Sequence, residues 1–94
     1  MPHILVIDDE KLVREATQIL LSARGYEVSV AADGKSGIAA VGAGRFDVVI
    51  VDLFMPEMDG LSVMRAIRRA KPTMPMIAAS GFMLGGGRQP MPGF

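Results

Sequence analysis

Three aspartates follow two short apolar runs, at spacings that could place their carboxylates together. Asp8 and Asp9 come directly after ILVI (residues 4–7), and Asp52 comes directly after VVIV (residues 48–51). If the two runs are neighbouring strands of one sheet, the carboxylates share a small space and repel one another unless protons or a cation intervene. Oxygen ligands without histidine or cysteine favour Mg²⁺ or Mn²⁺ over zinc.

A divalent cation held by carboxylates predicts a phosphate-bearing ligand, because Mg²⁺ usually binds phosphate oxygens and waters beside one or two carboxylates. A carboxylate can also attack phosphorus and form an aspartyl phosphate. Asp52 stands alone on its strand and is the better candidate nucleophile, whereas the Asp8 and Asp9 pair is the better candidate metal holder. An Asp-Asp pair after a strand often only caps the next helix, and Asp9 or Glu10 could do so here. Asp52 in a second matching position favours the acidic pocket.

The elements that would position these acids alternate between strand and helix. After the first strand, apolar residues recur at helical spacing, Gly25 follows as a helix end, and YEVSV (residues 26–30) alternates as an edge strand does. A helix near residues 35–41, the strand DVVIV (47–51), the helix LSVMRAIRRA (61–70) and the strand MIAA (76–79) complete a (βα)₃β order. The apolar positions are Leu12, Val13, Ala16, Ile19, Leu20 and Ala23 in the first helix, and Leu61, Met64 and Ile67 on the inner side of the third.

This alternation predicts an α/β fold with a parallel sheet covered by helices on both faces. In such sheets the functional crevice lies outside the carboxyl ends of the strands, where the strand order reverses. Asp8 and Asp9 follow the first strand, Asp52 the third and Ser80 the fourth. We therefore expect the first and third strands to lie side by side, which brings the acids into one pocket.

Composition indicates a small domain whose charge effects are local. The 94 residues are half hydrophobic, which suits one domain. Ten basic and ten acidic residues cancel, so we expect neither a nucleic-acid nor a membrane partner. The absence of cysteine excludes disulfides and thiolate metal sites within this sequence. The first apolar run is too short for a signal peptide or a membrane span, so a cytoplasmic location is expected.

Three stretches, ILVIDDE, VVIVDLFMPEMDG and IAASG, resemble in order and spacing the CheY-like receiver domain of two-component response regulators. The resemblance covers residues 4 to about 81 and implies an incomplete, flavodoxin-like doubly wound parallel sheet with strand order 2-1-3-4. It implies that Asp52 accepts a phosphoryl group from a histidine kinase, a phosphotransfer protein or a small phosphodonor. It also implies that Mg²⁺ is bound by Asp9 directly, by Asp8 through water, by Asp52 and by the backbone carbonyl of Phe54. Ser80 would be the hydroxyl that turns towards the phosphoryl group as the switch.

The sequence after residue 81 departs from the family, whose receivers have a fifth strand ending in a lysine that pairs with the phosphoryl group. FMLGGGRQPMPGF (residues 82–94) has no strand or helix period. We therefore predict a truncated receiver over residues 1–81 and an irregular tail over residues 82–94, without that strand or its lysine. The fourth strand would then be an unprotected apolar edge, which predicts a homodimer or a domain-swapped oligomer.

Two functions follow from these expectations. The first is a phosphoacceptor module of a two-component phosphorelay, which assists its own phosphorylation and dephosphorylation on Asp52 with Mg²⁺ but is not a conventional enzyme. The alternative is a non-catalytic truncated receiver that binds itself or a partner through the exposed fourth strand. A phosphohydrolase of another α/β family is a weaker alternative, because it needs catalytic elements that 94 residues hardly accommodate.

Overall fold

A parallel four-stranded sheet organises the residues that the computed structural model describes, 1–55 and 58–79 of the 94. Along the chain the elements are β1 (His3–Ile7), α1 (Lys11–Ala23), β2 (Glu27–Ala31), α2 (Gly34–Ala43), β3 (Val48–Asp52), α3 (Gly60–Ala70) and β4 (Met76–Ala79). The strands lie in the order β2-β1-β3-β4, and each neighbouring pair is parallel. The predicted doubly wound order 2-1-3-4 is therefore confirmed. None of the helices in the described residues has the length and apolar character needed to cross a bilayer.

The register between β1 and β3 determines where the acids stand. Ile4 pairs with Val48 and Ile7 pairs with Val51, so the two strands run level and end at the same edge of the sheet. Asp8 follows β1, and Asp52 is the last residue of β3. The backbone alone therefore brings these two carboxylates to one place.

The main core lies on the sheet face that α2 and α3 cover. Successive strand residues point to opposite faces, and the fully buried side chains of β1 and β3 alternate accordingly. The fully buried side chains are Leu5, Ile7, Val41, Val49, Val51, Val63, Met64 and Ile67. In α3, Met64 and Ile67 are buried as predicted, whereas Leu61 is only half-buried and Val63 takes its place in the core. The stripe of α3 that meets the sheet runs through Gly60 and these three buried residues, which are three and four positions apart.

The other face of the sheet is much less covered. α1 packs against β2 and β1 but contains no fully buried residue. Its apolar residues Leu12, Ile19 and Leu20 are exposed, although their helical spacing is typical of a packed stripe. On β4, Ile77 pairs with Ile50 and is 53% exposed. The described residues therefore leave part of this face without a covering element.

The helix ends show which polar residues are structural. Asp33 is the N-cap of α2 and accepts a hydrogen bond from the N–H of Ser36 (2.8 Å). Asp59 is the N-cap of α3 and accepts one from the N–H of Ser62 (2.8 Å). The hydroxyl of Ser36, and after it the N–H, lowers the pKa of the Asp33 carboxyl, and the N–H of Ser62 lowers the pKa of the Asp59 carboxyl. Gly25 has a φ of 93° and follows Arg24, the C-cap of α1, which confirms its predicted role at the helix end. These two aspartate caps were not among the predictions from sequence.

An arginine side chain spans the connection from α3 to β4, which also contains a backbone hydrogen bond from the N–H of Met74 to the carbonyl of Lys71 (3.0 Å). Arg68 is half-buried and donates through Nη1 to the backbone carbonyls of Pro72 (2.9 Å) and Met74 (2.8 Å). Both carbonyls lie between the end of α3 and the start of β4, so this side chain fixes where the chain turns back into the sheet.

Gly60, the first residue of α3, lies against the backbone at the end of β3. Its N–H donates to the carbonyl of Leu53 (3.2 Å). A Cβ atom on Gly60 would lie 2.5 Å from the carbonyl oxygen of Asp52 and 2.5 Å from the Cα of Leu53. Since those are backbone atoms, they could move only by distorting the end of β3, and glycine is required here.

Gly60→Ala is therefore expected to lower the free energy of unfolding by about 2 kcal/mol, the usual cost of overpacking. Gly42 is the matched control, because it lies in α2 and a Cβ atom there would meet nothing within 4 Å. Gly42→Ala should be neutral or stabilising by up to about 1 kcal/mol, since alanine is the better helix former. Urea unfolding followed by circular dichroism measures both variants, and equal stability of the two would contradict the close approach at Gly60.

Candidate functional site

Asp8, Asp9 and Asp52 form a cluster at the carboxyl ends of β1 and β3. Each contributes one carboxylate oxygen such that all three oxygens lie within 4.8 Å of one another. Asp8 and Asp52 are buried, and Asp9 is half-buried. The structure thus brings together the three acids that the sequence analysis expected to meet, in a place where charges interact more strongly than in water.

Backbone N–H groups orient two of the three carboxylates. Asp8 Oδ1 accepts a hydrogen bond from the N–H of Glu10 (2.9 Å), and Asp52 Oδ1 accepts one from the N–H of Phe54 (3.1 Å). Asp9 differs, because its Oδ1 atom is buried and has no hydrogen-bond partner among the described residues. A buried carboxylate oxygen without a donor is costly, so this atom indicates a positively charged ligand.

The pKa values of the cluster reflect its burial. The pKa of the Asp8 carboxyl is raised to about 6, mainly by burial; the hydrogen bond from Glu10 opposes the rise, and the charges of Asp52 and Asp9 add to it. Burial also raises the pKa of Asp52, again opposed by its backbone hydrogen bond, from Phe54, and increased by the nearby Asp9 carboxylate. In the absence of a cation, the fully charged cluster is therefore destabilising near neutral pH.

The cluster fits a hard divalent cation. Its donors are all carboxylate oxygens, which Mg²⁺ and Mn²⁺ prefer. Mg²⁺ holds its ligands at about 2.1 Å, so two oxygens bound to one ion lie up to about 4.2 Å apart. The oxygens of the cluster lie within 4.8 Å of one another, so small side-chain movements would bring them around one ion. Asp9 Oδ1 is a ligand atom that no other described group uses.

A cleft of about 330 Å³ opens beside Asp9. Its walls are mainly apolar and include Ala32, Met55 and Met58, with Lys35 as its cationic residue. Asp9 can therefore be approached from solution between α2 and the segment that follows β3, through a space larger than a phosphoryl group.

A family profile described as the response regulator receiver domain matches residues 4–83, most of the chain. The chain belongs to the response regulator receiver family. The transcriptional regulatory protein DltR of Streptococcus agalactiae is 40% identical to this receiver over 75 residues, which cover 80% of this chain and 34% of DltR. The receiver spans about a third of the length of the curated relatives it matches.

Solved structures of other receivers share the fold. The response regulator protein TrrA from Thermotoga maritima, in complex with Mg(2+)-BeF, matches with a TM-score of 0.84 at 35% identity, over 87% of this chain and 71% of TrrA. Histidine kinase ThkA in complex with TrrA gives a match with a TM-score of 0.82 at 33% identity, over 93% of this chain and 75% of the matched chain. The receiver is thus a phosphoacceptor module of the two-component type, with the CheY-like, flavodoxin-like sheet predicted from its sequence. Receivers bind Mg²⁺ through acidic residues and pair with histidine kinases.

Two residues that the resemblance assigned to the receiver site are not tested by the described geometry. Phe54 follows β3 and is 71% exposed, and its N–H donates a hydrogen bond to Asp52. The role of its carbonyl as a metal ligand stays a prediction. Ser80, the predicted switch hydroxyl, lies outside the described residues, and so does the predicted tail over residues 82–94. The domain boundary after residue 81 stays a prediction for the same reason.

One residue that contacts the backbone of the site was not predicted from the sequence. Arg14, on α1, donates from Nη1 to the backbone carbonyl of Asp8 (2.9 Å). Its position in the sequence is consistent with this contact, since an arginine six residues after Asp8 lies early in the following helix and can reach back to the loop. Motif spacing does not reveal it, because the contact is made to a backbone atom.

Asp8→Asn is expected to stabilise the metal-free receiver by roughly 1–2 kcal/mol at about pH 7.5. A carboxyl whose pKa is raised by folding opposes folding once it is charged. The full cost is about 1.4 kcal/mol for each unit of pKa shift, and partial access of solvent to Asp8 reduces this cost. Because folding raises the pKa from 3.8 to about 6, the gain should shrink as pH falls through about 6 and vanish near 3.8, where Asp8 becomes protonated in both states.

Urea unfolding in EDTA at a series of pH values measures this difference between variant and parent. Glu27→Gln is the control: Glu27 is exposed on β2, and its replacement should change the free energy of unfolding by less than about 0.5 kcal/mol. A gain that persists undiminished in acid, or no gain at neutral pH, would contradict the raised pKa of Asp8.

Proposed function

We propose that this receiver accepts a phosphoryl group on Asp52 in a reaction that needs Mg²⁺ held by Asp8, Asp9, Asp52 and the Phe54 carbonyl. The observation that carries the proposal is the cluster of three carboxylates with the unpartnered Asp9 Oδ1 atom. The alternative of a simple helix cap is less well supported, because Glu10 occupies the N-cap position of α1 and its side chain makes no capping bond.

Asp52 is suited to attack phosphorus by its position and by its hydrogen bond. It ends β3, and the N–H of Phe54 engages Oδ1, so Oδ2 is the proposed attacking atom. In the transfer, this oxygen forms a bond to phosphorus while the bond between phosphorus and the donor's leaving group breaks. The leaving group keeps the electron pair, and the product is an aspartyl phosphate.

Asp8 and Asp9 would hold the cation beside Asp52. Bound Mg²⁺ neutralises part of the charge of the carboxylates and of the transferred phosphoryl group. Asp9 offers its unpartnered Oδ1 atom directly. Asp8, whose Oδ1 atom is already engaged by the N–H of Glu10, fits the water-mediated position that the family resemblance implies. Mn²⁺ suits the same oxygen donors.

The proposed donor is a histidine kinase or a phosphotransfer protein, for which a small phosphodonor can substitute chemically. The complex of histidine kinase ThkA with TrrA, a protein similar to this chain, supports a kinase partner. DltR is named a transcriptional regulatory protein, and this chain matches 34% of it. The proposal for this chain includes neither a nucleic-acid nor a membrane partner, because its charges balance. Ser80 as the switch hydroxyl and a cytoplasmic location, both expected from the sequence, belong to the same proposal.

Incubation with Mg²⁺ and a small phosphodonor is expected to add one phosphoryl group to the parent and none to Asp52→Asn, as measured by intact-mass spectrometry. EDTA should abolish the addition, because the unneutralised carboxylates then repel the phosphoryl group. Asp47→Asn is the matched control: Asp47 lies at the other end of β3, where it accepts a hydrogen bond from the N–H of His3, and this variant should be modified like the parent. A folded parent that binds Mg²⁺ but gains no phosphoryl group would sink the proposal.

Self-association is a second candidate function, and the apolar surface of the described residues supports it. Ile77 on β4 is 53% exposed, and α1 exposes Leu12, Ile19 and Leu20. Burial of such side chains against a second copy would be favourable. Both a homodimer and a domain-swapped oligomer would provide it.

Ile77→Thr is expected to weaken concentration-dependent association by roughly ten-fold, because the variant loses most of the apolar burial of one side chain. Analytical ultracentrifugation over a range of concentrations measures the association constant. Val30→Thr is the control, since Val30 is also β-branched and exposed but lies on β2, at the opposite edge of the sheet from β4. Asp52→Asn should associate like the parent. A parent that stays monomeric at every concentration would refute this second function.

A further inference from the structure

Arg14 links α1 to the loop that carries Asp8 and Asp9. Its side chain is half-buried, and its Nη1 atom donates a hydrogen bond to the backbone carbonyl of Asp8 at 2.9 Å. That carbonyl belongs to the planar peptide unit between Asp8 and Asp9. The contact therefore fixes the orientation of the peptide from which the Asp9 side chain projects.

α1 packs against β2 and β1, but little besides this shallow packing ties its N-terminal end to the loop after β1. None of its residues is fully buried, and Glu10 at its N-cap makes no side-chain capping bond. The ion pair found among the described residues, Lys11 with Glu15 (3.9 Å), lies within the exposed surface of the same helix and joins it to nothing else. Among the described residues, the bond from Arg14 is the side-chain hydrogen bond that joins α1 to the end of β1.

The acid cluster needs such a link because its carboxylates repel one another. Asp8 is held by two further bonds, since its N–H donates to the carbonyl of Ala31 (3.1 Å) and its Oδ1 accepts from the N–H of Glu10 (2.9 Å). The buried Oδ1 atom of Asp9, in contrast, has no partner among the described residues. The place of Asp9 in the cluster therefore depends on the backbone that carries it.

We propose that Arg14 is a positioning residue: its guanidinium holds the Asp8 carbonyl so that the Asp9 carboxylate stays within reach of the cation and of Asp52. This inference rests on the proposed function, because it concerns the same cation site. Arg14 touches neither the cation nor the phosphoryl group and acts through the backbone. Removing a group that orients a metal ligand typically lowers metal affinity by about 10- to 100-fold.

The test compares Arg14→Met with Arg68→Met, because methionine keeps an unbranched apolar stem and removes the donors. Arg68 is the matched control: it is also half-buried and donates through Nη1 to backbone carbonyls, those of Pro72 and Met74, away from the acids. Isothermal titration calorimetry with Mg²⁺ measures the affinity of each variant. Thermal unfolding in EDTA measures its stability.

The expected result is a comparable loss of stability in both variants, with a Mg²⁺ affinity lowered by about ten-fold or more only in Arg14→Met. Parent-like Mg²⁺ affinity in folded Arg14→Met, or an equal loss of affinity in Arg68→Met, would overturn the positioning role.

If Arg14→Met does not fold, NMR of the parent protein supplies the test. Titration with Mg²⁺ should shift the Nε–H resonance of Arg14 and leave that of Arg68 in place, and an unmoved Arg14 resonance would overturn the inference. Both measurements follow Mg²⁺ binding and not phosphoryl transfer. A parent that binds Mg²⁺ without becoming phosphorylated would overturn the proposed function alone, whereas a parent that does not bind Mg²⁺ would overturn both.

Discussion

The structure depends on holding three negative charges in one small space. The level register of β1 and β3 brings Asp8 and Asp52 to the same edge of the sheet, so the fold itself imposes their repulsion. The opposing free energy comes from the strands behind the acids, where Ile7 and Val51, the residues just before them, are fully buried in the core. A cation that binds only the folded cluster adds to that free energy by mass action. The apolar core and the cation site therefore support one another.

The same local backbone arrangement orients the carboxylate at the end of each of the two central strands. Asp8 accepts a hydrogen bond from the N–H of Glu10, and Asp52 accepts one from the N–H of Phe54, so each donor lies two residues after its acid. An aspartate that bonds to the backbone two residues on favours a turn. Each acid thus ends its own strand, and its position at the edge follows from its own side chain as much as from the sheet.

The alternation of strands and helices and the meeting of the acids could be predicted from short-range patterns: uninterrupted apolar strands, helices between them, and acids directly after strands. The full strand order was implied by the resemblance to receivers. What the sequence did not reveal depends on the relative placement of elements. Helical spacing identifies Leu12 and Ile19 as a stripe but cannot say which element covers it, and both are exposed. Spacing alone also placed Leu61 on the inner side of α3, whereas Val63 is the fully buried residue of that turn. The contact of Arg14 could not be predicted from sequence, because its hydrogen-bond partner is a backbone carbonyl, which every residue has.

Gly60 gives the first turn of α3 direct contact with the peptide that follows Asp52. No side chain stands between them, so a displacement of that peptide would not be absorbed by a change of rotamer and would pass to the helix as a rigid body. The 11 residues of α3 extend about 16 Å from this contact. A small tilt at Gly60 would therefore produce a larger movement at Arg65 and Arg69, which are exposed along the helix. The length of α3 would thus set how far a displacement beside Asp52 moves these two positive charges across the surface.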